Sequence, residues 1–159
     1  VGHLLGSSLP VGGSSTHAVL SGHSGMAGQK MFTDLLQMKT GDIFYLHVLG
    51  ETLAYEVDSL NTVLPHDTSL LGITDGSDLC TLITCTPIAV NSHRLLVTGH
   101  RIPFEAAKEM VEEAQQEYTE VESTWEQEYL RGLYIAIAVV LILFLICIVV
   151  ALLGRNNDA

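Results

Sequence analysis

At 159 residues the chain has material for one hydrophobic core and not for two. Its formal net charge of -11, with only seven Lys and Arg and no basic stripe, leaves nucleic-acid binding without electrostatic support. The seven His and three Cys form no C-x-x-C and no H-x-x-x-H pair, so no zinc site is expected.

In chain order, Val1 to Thr16 is rich in Gly and Ser, with Pro10 and Gly12-Gly13 as punctuation, and reads as a solvated connector. Neither an initiator Met nor a charged and apolar leader precedes it, so the N-terminus is expected to be cut. Ala18-Val19-Leu20 is an apolar strand running into Ser21-Gly22-His23-Ser24-Gly25. Met31, Phe32, Leu35, Leu36 and Met38 recur at helical spacing until Gly41, predicting a short helix with the methionines in the core.

From Asp42 the pattern becomes strands. Residues 42–48 and 53–58 flank Leu49-Gly50-Glu51-Thr52, a hairpin turn, and 59–64 extend the second strand. Pro65 to Asp78 reads as a polar loop. Thr81-Leu82-Ile83-Thr84-Cys85-Thr86-Pro87 is then a strand that carries a thiol to its end, because Pro87 cannot donate to a ladder. Cys80 lies an odd number of residues before Cys85 and so points to the opposite face, as a buried and inert thiol. Asn91-Ser92-His93-Arg94-Leu95-Leu96-Val97 opens a third strand, with Arg94, Leu96 and Thr98 on one face and Arg101 as a weaker competitor for any role of Arg94.

Past Pro103 the period turns helical. Met110, Ala114, Tyr118, Val121, Trp125 and Tyr129 lie three or four apart among glutamates, predicting a long amphipathic helix over 105–131 whose nine Glu form a solvated face. Leu133 to Leu153 is 21 residues without a charge, long enough to cross a bilayer, so a transmembrane helix is expected over 132–154 and a cytoplasmic tail over 155–159.

Three of these residues form a chemical set. Cys85 supplies a nucleophile; an imidazole such as His23 can take or stabilise its proton; Arg94 supplies fixed positive charge where a carbonyl oxygen turns negative. His17, six residues before His23, is assigned a supporting or surface role.

The Ser21-Gly22-His23 run, Thr81-Leu82-Ile83-Thr84-Cys85, and an Arg nine residues after that Cys resemble the His-Cys-Arg triad of sortases, membrane-bound transpeptidases of Gram-positive bacteria. Val63-Leu64-Pro65-His66-Asp67-Thr68, Val97 to Pro103 and the apolar C-terminal segment are most similar to class C, the pilin-polymerising group. The resemblance covers Val1 to Pro103. It implies a mainly β fold, a sortase-type β-barrel with short helices over 1–104 whose first strand precedes Val1, followed by the amphipathic and transmembrane helices. Class C members usually add a lid with an Asp-Pro-aromatic motif, and no Asp-Pro occurs here.

It further implies His23, Cys85 and Arg94 as catalytic residues, with Ser21, Thr84 and Thr86 at the peptide and no metal or organic cofactor. The substrates would be pilin subunits bearing LPxTG-like sorting signals, cleaved between Thr and Gly, and the acceptor a pilin lysine. The enzyme would sit at the cell membrane with its catalytic domain outside. The alternatives are a sortase that anchors proteins to the cell-wall precursor and a non-catalytic, membrane-tethered binding module.

Overall fold

The computed structural model describes residues 1–25 and 28–157; at 117, 120–126 and 143–157 it describes the backbone alone. The chain divides into two compact units, Val1–Val111 and Glu112–Ala159. The first is mainly β. Its strands are β1 (Gly2–His3), β2 (Thr16–Ser21), β3 (Ile43–Val48), β4 (Glu51–Val63), β5 (Asp78–Thr86) and β6 (His93–Ile102), with a 3-10 helix at Thr33–Gln37 between β2 and β3. They form one six-stranded sheet in the order β1-β2-β5-β6-β4-β3. In place of the expected β-barrel, the described residues form a sheet with two free edges, β1 and β3.

Local chemistry sets these strands. β3 and β4 join through Leu49-Gly50, both at positive φ (51° and 83°), so Val48 pairs directly with Glu51. The turn is two residues rather than the four expected, because a two-residue loop at positive φ matches the right-handed twist of the strands. β4 continues to Val63 as predicted and changes partner along its length, pairing with β3 at Glu51–Glu56 and with β6 at Ala54–Val63. The register slips between Val57 and Ser59, leaving Asp58 as the extra residue of a bulge.

The larger core cluster lies on one face of the sheet, while Val19, Ala54 and Leu96 are buried on the other. In the larger cluster Ala18, Phe44, Leu53, Tyr55, Val57, Cys80, Leu82, Leu95 and Val97 are buried beneath Leu35. Phe32 and Met38 pack beside Leu35 from the same helix. These three positions are three apart, because a 3-10 helix has three residues per turn. That spacing corrects the prediction for its neighbours: Met31 and Leu36 are each 39% exposed, and Met31 lines the cavity described below instead of the core.

Gly99 occupies the tightest point of this packing. A Cβ there would lie 2.6 Å from the Glu56 carbonyl oxygen and 2.9 Å from a ring carbon of Phe44. The backbone atom cannot move without disturbing β4 beside its bulge. Gly99→Ala is therefore expected to destabilise the fold by about 1–3 kcal/mol through overpacking, read as a lower urea midpoint with an unchanged slope. A midpoint equal to that of the parent chain would show that the sheet yields at this point.

Two polar networks lock the connecting loops to the sheet. His17, expected in a supporting or surface role, is 1% exposed; its Nδ1 lies 2.8 Å from the Gly72 carbonyl oxygen and its Nε2 2.7 Å from Thr81 Oγ1, which in turn lies 2.8 Å from Thr98 Oγ1. The ring thus fastens the β4–β5 loop to β5 and β6. At the other network, the Tyr55 hydroxyl donates to Asp78 Oδ1 (3.0 Å), and the Gly13 N–H donates to Asp78 Oδ2 (2.8 Å). Burial first, and then the Asp78 carboxylate, hold the Tyr55 phenol well above its usual pKa. Arg101 lies over the same ring at 5.7 Å, so it serves this cluster.

After Pro103 a single helix, α1 (Phe104–Asn157), begins. Its start packs on the sheet through Ala107, which is fully buried beside Ala54 and Ile102, and through Phe104, edge-on to Tyr45 with ring centroids 6.0 Å apart. Of the predicted apolar stripe, Met110, Tyr118 and Tyr129 are exposed, and the side chains of Val121 and Trp125 lie outside the described residues. Among the described residues no helix is long and apolar enough to cross a membrane. The expected span over 132–154 extends past Ile142, beyond which the side chains lie outside the described residues.

Candidate active site

The strand pairings bring together three segments that are far apart in sequence. β5 lies between β2, which runs parallel to it, and β6, which runs antiparallel. In that register Cys85 is directly opposite Arg94, one pair before the ladder ends at Thr86 and His93. Opposed residues of an antiparallel pair hold their Cβ atoms about 4.5–5.5 Å apart on one face. β2 ends at Ser21, opposite Ile83, so the next two residues carry the chain to the level of Cys85 with His23 at the turn.

These residues line one cavity of about 310 Å³, formed by Ser21, Gly22, His23, Met31, Ile83, Thr84, Cys85 and Arg94 with the first two residues of the chain. His23 is exposed, and Cys85 and Arg94 are half-buried. The turn that holds His23 is fixed from both sides. On β5, the Gly22 N–H donates to the Ile83 carbonyl (3.0 Å), the Thr84 hydroxyl donates to the Gly22 carbonyl (2.9 Å), and the Ser24 hydroxyl donates to the Cys85 carbonyl (2.6 Å). Opposite, the Phe32 N–H donates to the His23 carbonyl (3.0 Å) and the Gly25 N–H to Thr33 Oγ1 (2.9 Å).

Gly22 and Gly25 are required by this packing. A Cβ on Gly22 would sit 2.8 Å from the Phe32 ring, and one on Gly25, at φ +70°, would sit 2.5 Å from Ile88 Cγ2. The two glycines flanking the histidine let the turn close against both neighbours.

Arg94 is anchored at one end of its fork. Its Nη1 donates to the carbonyls of Asn91 (3.1 Å) and His93 (2.9 Å). Among the described residues Nε and Nη2 have no hydrogen-bond partner, which leaves their N–H donors, on a preorganised cation, for an incoming group. Cys80, by contrast, is fully buried on the core face, and burial pushes its thiol up to about 12. The predicted division between a facing and a buried cysteine therefore holds.

The expected peptide-contacting residues separate. Ser21 is exposed at the cavity, with its hydroxyl 3.4 Å from the Gly2 carbonyl oxygen. Thr84 lines the cavity but is only 1% exposed, and its hydroxyl donates to the Gly22 carbonyl. Thr86 does not line the cavity. Ser24, which no pattern in the sequence marked, closes the turn onto Cys85 itself. Among the described residues no group of three or more His, Cys, Asp or Glu could hold a metal ion.

This geometry has close relatives. Residues 1–102 match the family model described as the Sortase domain. Sortase C-1 from Actinomyces oris is 58% identical with a TM-score of 0.62, over 64% of this chain and 58% of that one. The pilus-related sortase C of Group B Streptococcus is 51% identical with a TM-score of 0.63, over 65% of this chain and 53% of that one. A curated relative, sortase A from Bacillus anthracis, is 32% identical over 89 residues, 56% of this chain and 42% of that protein. The chain thus spans less than two thirds of each. With a family match across the whole sheet and a cavity that gathers a Cys, a His and an Arg, the chain belongs to the sortase family, and its structural neighbours are of the class C type.

Proposed function

We propose that the chain is a cysteine transpeptidase that cleaves an LPxTG-like sorting signal between Thr and Gly and joins the Thr acyl group to a pilin lysine. The observation that carries this reading is the convergence of His23, Cys85 and Arg94 on one cavity from three separate segments. The pilus-related neighbour supports the choice of pilin as substrate.

In this reading the Cys85 sulfur, as thiolate, forms a bond to the Thr carbonyl carbon, and the carbonyl oxygen takes the negative charge. The free Nε and Nη2 of Arg94 donate to that oxyanion. Collapse of the tetrahedral centre breaks the C–N bond to Gly while His23 delivers a proton to the leaving amine. A thioester on Cys85 remains. The nitrogen of the incoming neutral lysine amine then attacks the thioester carbon while His23 takes one proton from it, and the C–S bond breaks to give an isopeptide and the Cys85 thiolate beside protonated His23.

The 21 uncharged residues from Leu133 to Leu153 support a membrane anchor, with the acidic segment before it outside the cell membrane of a Gram-positive bacterium and Arg155 on the cytoplasmic side. The test is intact mass of the chain in detergent micelles, incubated with an LPxTG peptide and no amine. The expected adduct equals the peptide up to and including its Thr. Adding a pilin-derived lysine peptide should discharge it faster than a cell-wall peptide amine. Equal or inverted rates would favour cell-wall anchoring, and no adduct at all would favour a binding module.

A further inference from the structure

We propose that Ser24 is a positioning residue that couples the placement of His23 to that of Cys85, an inference that rests on the transpeptidase reading. β2 ends at Ser21, and the last backbone bond from its continuation to β5 is Gly22 N–H to Ile83. Past that point the turn leaves the sheet, and the nucleophile lies two residues further along β5. The Ser24 hydroxyl spans this gap with its 2.6 Å bond to the Cys85 carbonyl. It is the one hydrogen bond among the described residues that ties the histidine turn to residue 85 itself.

The bond matters because the imidazole has no other guide. Among the described residues the His23 ring makes no hydrogen bond, so backbone placement alone sets where it sits. That backbone is held outward by Phe32 and Thr33 of the 3-10 helix segment. Before His23 it is held inward by the bonds of Gly22 to Ile83 and Thr84, and after His23 Ser24 supplies the inward hydrogen bond. Without it the turn remains packed against the helix while His23 is free to drift from the thiol. A proton transfer is sensitive to such drift, since a misplacement on the order of 1 Å costs roughly a hundredfold.

Ser24→Ala removes the hydroxyl with little change in volume, and Ser24→Thr restores it. Single-turnover acylation by an LPxTG peptide should fall roughly ten- to a hundredfold at saturating peptide in Ser24→Ala, with the half-saturating peptide concentration unchanged. Ser24→Thr should recover most of the rate. Alkylation of Cys85 by iodoacetamide at fixed pH should shift in Ser24→Ala towards the rate of His23→Ala. This arm needs no peptide, so it tests the coupling even if the substrate reading fails. An Ala variant with parental acylation and alkylation rates would overturn the proposal. So would one that unfolds at the assay temperature, since the bond would then be structural, or one whose loss lies in half-saturation alone.

Discussion

Cys85→Ala is expected to abolish the peptide adduct completely while leaving the thermal midpoint close to that of the parent chain. The side chain is half-buried at the end of β5, one pair before the ladder stops, and lines a cavity instead of filling the core. Removing its sulfur therefore takes away the attacking atom without opening a void. The sharpest control is the other described cysteine. Cys80 is fully buried among Ala18, Leu82 and Val97, with its thiol pushed up to about 12, so it stays protonated and out of reach at neutral pH. Cys80→Ala should leave acylation unchanged and reduce stability by about 1 kcal/mol, the scale of a small core truncation. Intact mass and thermal unfolding of both variants give a crossed result: one loses chemistry and keeps stability, the other the reverse. If Cys85→Ala instead unfolds and Cys80→Ala loses the adduct, the roles of the two thiols have been exchanged. If Cys85→Ala forms the adduct, the thioester reading fails.

This opposition between the cysteines was legible in the sequence because strand alternation is a local rule. An odd offset along one strand sends two side chains to opposite faces whatever the surrounding fold. The same rule places Thr84 and Thr86 on the face opposite Cys85. Both are an odd step from Cys85, and Thr84 is found turned inward and bonded to Gly22. The pairing of Cys85 with Arg94 was within reach for a similar reason, since the two lie on consecutive strands joined by one short loop.

What could not be read locally is everything that depends on β2 lying parallel beside β5, some sixty residues away in the chain. That neighbour relation brings His23 to Cys85, seats His17 between Gly72 and Thr81, and gives Ser24 its partner. His23 entered the sequence reading through its glycine-flanked turn and a family resemblance. Ser24 carried no signal, because a lone serine in a Gly-rich turn is ordinary loop chemistry until its acceptor is known. The helix at Thr33–Gln37 shows the limit from another side: apolar spacing predicted that it exists, but its three-residue period changed which side chains are buried.

Arg94→Ala is expected to lower the acylation rate by roughly a hundred- to a thousandfold, the usual loss when a donor to a developing oxyanion is removed. The loss should appear in the rate at saturating peptide, because the charge it meets exists only in the transition state. Arg94→Lys tests whether charge alone suffices. Arg94 divides its fork: Nη1 is held by the carbonyls of Asn91 and His93, while Nε and Nη2 have no hydrogen-bond partner among the described residues, and the side chain lines the cavity. A lysine has one ammonium group and cannot be anchored on the loop and reach a substrate oxygen in the same geometry. Lys should therefore recover only a small part of the rate. Arg101 supplies the comparison, since it lies on the same strand but serves the Tyr55 ring, opposite which it is paired in the β4–β6 register. Arg101→Lys should alter stability and leave acylation within about twofold of the parent, as expected for a contact that shares no partner with the site. Full acylation by Arg94→Ala would mean that the oxyanion is stabilised elsewhere, and the backbone N–H groups at the Cys85 end of β5 would then be the donors to examine.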